Sequence, residues 1–161
     1  MNIIFHLLFI VMLCLISYQD FKEHYINDWY IVLSLFILFG AGIYNQCFLN
    51  TLYGFITGLI IGFLCYGLGF LISKSESFGM ADVFLLTVIG SYLGWFDTIN
   101  FFIFVSYFNG IILLPKILLY KKAKNAGCPM APLYSLGLLC FILLNKPNIF
   151  EIHNFICKFI L

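Results

Sequence analysis

Six runs of apolar residues, at approximately 2–19, 28–46, 50–72, 82–96, 98–119 and 130–145, fill most of this 161-residue sequence. A helix needs about 20 such residues to cross the hydrocarbon core of a bilayer. The fourth run is short, but it extends back through a glycine-containing approach to Asp82. Only 9% of the residues are charged and 63% are hydrophobic, whereas soluble domains carry about 25% charged residues. A soluble fold of this composition would lack the polar groups to cover its surface. Helices in a bilayer satisfy their backbone hydrogen bonds internally. The fold expected is therefore all-α: a polytopic membrane bundle of about six transmembrane helices, forming a single domain over 1–161.

The apolar run Ile3–Ile16 has no basic segment before it and no small-x-small pattern after it, so it reads as a retained first span. The tail alternates Phe150, Ile152, Phe155, Ile156 and Phe159 with Glu151, His153, Asn154 and Lys158. That spacing predicts a short interfacial helix from about 148. The six cysteines include no C-x-x-C pair, which argues against a zinc or redox site and for small buried side chains. No metal or cofactor is called for. The net charge of +1 carries no signature of a nucleic-acid partner; the partner implied by the apolar runs is the lipid bilayer.

Lysines set the orientation. Lys22 lies in the first connection, Lys74 in the third, and Lys121, Lys122 and Lys124 in the fifth, whereas the second and fourth connections hold none. The positive-inside rule puts the odd connections in the cytoplasm and the N-terminus outside. Lys146 and Lys158, near the C-terminus, run against that pattern. Asp20 ends the first run and Asp82 begins the fourth. Both adjoin odd connections, so they share one face of the membrane whichever way the chain inserts.

An ionisable group at the edge of a span is costly and points to function. Glu23, Asp28, Glu76 and Asp97 sit in more polar stretches and read as solvated charges. Two carboxylates in one poorly solvated site share a proton and titrate as a pair. The ionised member can take a proton from water while the other donates to a peptide carbonyl. The same two residues suit a proton or cation pathway, or helix ends facing headgroups, and residue chemistry alone leaves these open. Gly54-x-x-x-Gly58-x-x-x-Gly62 and Gly90-x-x-x-Gly94 form flat helix faces for close packing. His6 reads as a packing residue, and His24 as a neighbour able to tune Asp20. Trp29 and Trp95 fall where interface anchors occur.

Three segments together carry a resemblance. Gly79-Met80-Ala81-Asp82 resembles the Gly-x-Gly-Asp motif of intramembrane aspartyl proteases. Asp20 followed by Ile26-Asn27-Asp28 looks like the pattern of Asp, a short basic stretch, then Ile-Pro-Asn or Leu-Pro-Asp. Cys128-Pro129-Met130-Ala131-Pro132 is similar to the Pro-Phe-x-Pro segment that opens the last span. In this order and spacing the set resembles the peptidase domain of the type IV prepilin peptidases. The resemblance implies an aspartic endopeptidase of the inner membrane, cutting the basic leader from prepilin or pseudopilin precursors on the cytoplasmic side.

By the same resemblance Asp20 and Asp82 are the catalytic pair, with Gly79, Ala81, Pro129 and Pro132 as motif support. Ala81 stands where the motif has its second glycine, a replacement that a left-handed backbone there would not tolerate. Asn27 stands for proline, and Met130-Ala131 for Phe-Gly. Bifunctional relatives carry a paired-cysteine region that methylates the new N-terminus. Here Asp20 and Asn27 are seven residues apart, so the expectation is a peptidase-only form. An inactive relative acting as an assembly subunit is the remaining alternative, beside the ion-pathway reading.

Overall fold

The computed structural model describes residues 3–73, 79–119 and 130–144, and every regular element among them is a helix. The order is α1 (Ile3–Glu23), α2 (Asp28–Tyr44), α3 (Phe48–Ser73), α4 (Met80–Leu93), α5 (Trp95–Leu119) and α6 (Ala131–Leu144). The all-α expectation holds, and the helices follow the apolar runs to within a few residues. The interfacial tail from about 148, together with Lys74, Lys121, Lys122, Lys124, Lys146 and Lys158, lies outside the described residues.

Differences appear at helix ends, where backbone chemistry overrides hydropathy. α1 continues past its apolar run to Glu23, with the Gln19 amide donating to the Glu23 carboxylate one turn on (3.4 Å). It stops at His24, whose φ of 50° is left-handed. The fourth and fifth runs are separated by Gly94 alone. Its φ of 87° belongs to a region open to glycine, and its N–H bonds the Gly90 carbonyl (2.9 Å). Trp95, Phe96 and Asp97 therefore form the first turn of α5 instead of a connection. Asp97 is half-buried there, with its carboxylate near the positive end of the helix dipole, so it is not the loop charge its sequence context suggested.

Three helices contain candidate spans long and apolar enough to cross a membrane: Ile4–Glu23, Phe48–Leu71 and Trp95–Ile112. Their outward faces carry large apolar side chains, among them Leu7, Val11, Leu64, Leu71, Tyr107 and Ile111. Cys14 also faces outward, against the expectation of a buried thiol. α4 has 14 residues, about 21 Å of helix, and is too short to span alone. It lies in the centre instead: Val83, Leu85, Leu86, Thr87, Val88, Ile89, Gly90, Ser91 and Leu93 are all buried. Met80 and Phe84, near its start, are the large side chains it leaves exposed.

The α3–α4 contact is backbone on backbone. A Cβ at Gly58 would sit 2.7 Å from the Leu86 carbonyl oxygen and 2.9 Å from the Thr87 Cα. One at Gly54 would collide with the Gly90 carbonyl, and one at Gly62 would meet the Val83 side chain at 2.8 Å. α4 also meets α1, where the His6 Nδ1 and the Tyr92 hydroxyl are hydrogen-bonded at 2.8 Å and Phe9 stacks on the Tyr92 ring at 4.4 Å. α6 packs on α5 through Phe141 against Phe101 (5.7 Å) and Phe104 (5.8 Å). Gly137 lies against Val105 in the same contact.

These contacts yield a paired prediction. Gly58→Ala should destabilise the protein by about 1–3 kcal/mol, the usual cost of overpacking. Gly40→Ala, whose Cβ meets nothing within 4 Å, should be neutral or stabilising, since alanine is the better helix former. Thermal unfolding in detergent measures both, and equal losses at the two positions would contradict the packing described.

Candidate active site

Asp20 lies in the last turn of α1 and Asp82 in the first turn of α4. The fold brings them to the same end of the bundle, near enough for their charges to repel one another. The two positions are built differently.

Asp82 is the third residue of α4, and its carboxylate folds back onto the start of its own helix. The Gly79 N–H donates to Asp82 Oδ2 at 3.1 Å, the reciprocal half of a capping box. Gly79 has φ −75° and ψ 151°, an extended backbone open to any residue. Its smallness matters for another reason: a Cβ there would stand 3.3 Å from Asp82 Oδ2. Ala81 is helical, and the positive φ values among the described residues belong to His24, Gln46 and Gly94. The alanine at the motif's second glycine is thus free of the strain that a left-handed backbone would impose.

Asp20 is buried, with 8% of its surface exposed. Its Oδ2 accepts the backbone N–H of Ala131 at 2.8 Å. Ala131 is the first residue of α6, and its amide is one of the four that a helix leaves without an internal partner. A carboxylate from one helix therefore closes the end of another, where the dipole favours negative charge. One turn before Asp20, the Ser17 hydroxyl donates to Ser135 Oγ (3.0 Å), and Ser135 donates to the Pro132 carbonyl (2.9 Å). Pro132 occupies the second position of α6, where its missing N–H costs nothing. Pro129 lies outside the described residues.

The connection after Asp20 is also specified. The His24 N–H bonds the Asp20 carbonyl (3.0 Å), while the residue itself is exposed; its visible contribution is to end α1. Asn27 caps α2 by accepting the Trp29 N–H (3.1 Å), and its own N–H donates to Gln19 Oε1 (3.2 Å). Proline, which the resemblance has here, would supply neither bond. Ile26 is buried beneath this turn.

Sequence reasoning missed Ser17, the Ala131 amide and Tyr134. Tyr134 is buried on α6, within electrostatic reach of Asp82 and Cys65. A serine in an apolar run, one turn from a singled-out aspartate, was a signal open to reading. A backbone amide has none.

The sequence profile of the type IV leader peptidase family matches residues 7–114, about two thirds of the chain and a stretch that includes both aspartates. The chain belongs to that family. No curated protein and no solved structure gives a significant match. The family is one of peptidases, and with helices of spanning length and an apolar exterior the chain is a membrane protein of that family. The match stops short of α6, so the part α6 plays at Asp20 rests on geometry.

The geometry separates fold from chemistry at Asp20. Asp20→Asn keeps an oxygen for the Ala131 amide and should cost less than about 1 kcal/mol of stability. Asp20→Leu leaves that amide buried without a partner and should cost about 1–3 kcal/mol. Melting temperatures of the two purified variants, compared with the unmodified protein, test this order.

Proposed function

We propose that this protein is a membrane aspartic endopeptidase that removes the basic leader peptide from type IV prepilin-like precursors at the cytoplasmic face of the inner membrane. The observation that carries the reading is the convergence of Asp20 and Asp82, from helices far apart in sequence, at one end of the bundle within reach of each other's charge. Family membership gives the reaction class, and the placement of lysines in the odd connections supports the cytoplasmic side.

In this reading the pair holds one proton between its two carboxyl groups, because like charges in a poorly solvated site resist joint ionisation. The ionised carboxylate takes a proton from a water molecule as that water attacks the scissile carbonyl carbon. The protonated partner gives its proton to the carbonyl oxygen, forming the tetrahedral intermediate. Collapse breaks the C–N bond: the proton taken from water passes to the leaving amine, and a hydroxyl proton of the intermediate returns to the partner carboxylate, restoring the pair's single proton. The α6 amide on Asp20 and the Gly79 amide on Asp82 hold each carboxyl group by one oxygen, which leaves the other oxygen for water or substrate. The substrate's apolar helix docks along the bundle, with its leader in the cytoplasm.

Asp20→Asn and Asp82→Asn, each co-expressed with a prepilin substrate, should slow leader removal by at least about a hundredfold, the scale of a lost general acid or base. The mobility shift of the precursor on gels reads the loss. Processing at the unmodified rate by either variant removes that residue from the catalytic pair. Intact processing by both, together with altered ion flux, would favour an ion pathway.

A further inference from the structure

The face of α5 that meets the rest of the bundle is a stripe of Thr98, Phe101 and Val105, all buried. Thr98 bonds the Gly94 carbonyl of the α4–α5 turn. Phe101 and Val105 lie against α6. The next residue at this spacing, four beyond Val105, is Asn109. The carbonyl oxygen of its side chain is buried and has no hydrogen-bond partner among the described residues. Asn109 lies within a span candidate, Trp95–Ile112. A buried carboxamide oxygen without a hydrogen-bond partner is costly, because its lost hydration is not repaid. A polar group left in that condition calls for an explanation in terms of function or of something yet to bind.

Its depth supplies one. Asp82 lies twelve residues before Gly94 and Asn109 fifteen after it, on either side of a sharp turn in which the Thr98 hydroxyl reaches back to the Gly90 carbonyl (3.3 Å). At 1.5 Å per residue the two sit about 18 Å and about 22 Å along their helices from the turn. α6 runs beside α5 with Gly137 against Val105 and Phe108. The first turns of α6, which hold Ala131 against Asp20 and Tyr134 within electrostatic reach of Asp82, therefore flank α5 near Asn109.

A peptidase acting on a helical membrane segment has a particular difficulty. The peptide group to be cut must leave its helix, and each residue unwound exposes an N–H and a C=O that need new partners. A side-chain amide offers one acceptor and two donors, the complement of an extended peptide group. We infer that Asn109 is a substrate-binding residue of the aspartate site, whose amide takes up a main-chain group of the substrate segment unwound beside the scissile bond. This rests on the peptidase reading above. The hydrogen bond that the Asn109 oxygen lacks is then supplied by the substrate.

Two variants test it. Asn109→Leu replaces the amide by an apolar group of similar size, and Asn109→Ala removes it. Each purified variant is melted in detergent and assayed with a prepilin substrate over a range of concentrations. The inference expects melting temperatures no lower than that of the unmodified protein in at least one variant. It expects a KM raised about tenfold in both, the loss of one hydrogen bond to substrate, with partial recovery in Asn109→Gln. An unchanged KM in both variants overturns it. Lower melting temperatures in both also overturn it, because the amide would then be bonded within the folded protein. Asp20→Asn and Asp82→Asn run alongside: if these process normally the peptidase reading has failed, whereas their inactivity with an unchanged KM in both Asn109→Leu and Asn109→Ala removes this inference alone.

Discussion

The structure depends on the contact between the glycines of α3 and the backbone of α4. In a bilayer, lipid tails are as apolar as leucine, so helices gain little from hiding apolar surface against each other and associate through close van der Waals contact. Gly54, Gly58 and Gly62 let α3 approach until its backbone touches that of α4. This contact seats α4 in the middle of the bundle. Gly94, the only residue between α4 and α5, then leaves α5 little freedom of register. The position of Asp82 follows, because it is fixed to the start of the one helix that every other constraint converges on.

Asp20 is held by a separate device. α1 carries it to the bundle's end, and the first amide of α6 binds it there. The carboxylate thus does structural work, joining the first and the sixth helix, as well as lying beside Asp82. The Ser17–Ser135 bond repeats the connection one turn away. The two aspartates come within reach of each other's charge although neither helix on its own brings them there: one is placed by glycine packing and the other by a borrowed helix terminus.

Hydropathy locates the helices because each must present apolar residues to lipid or to its neighbours. It cannot separate those two destinations, and α4 looks like a short span while most of its residues are buried among the other helices. It also fails at ends. The boundary at Gly94 is set by a left-handed backbone, and the extension of α1 to Glu23 by polar residues that hydropathy scores as a stop. The glycine spacing made a flat face legible but not its partner. Span parity brought Asp20 and Asp82 to one side, and the motif around Gly79 singled out Asp82. The bond from Ala131 to Asp20 stayed hidden, since its donor is main chain and lies 111 residues away. Asn27 looked like a lost proline and is a working helix cap.

The unequal lengths of α3 and α4 shape the surroundings of Asp82. α3 continues eleven residues, about 16 Å, beyond the contact between Gly62 and Val83. α1, by contrast, ends three residues, about 5 Å, after Asp20. Among the described helices, the aspartates therefore stand at the foot of a step, with a tall wall on the α3 side and a low sill on the α1 side.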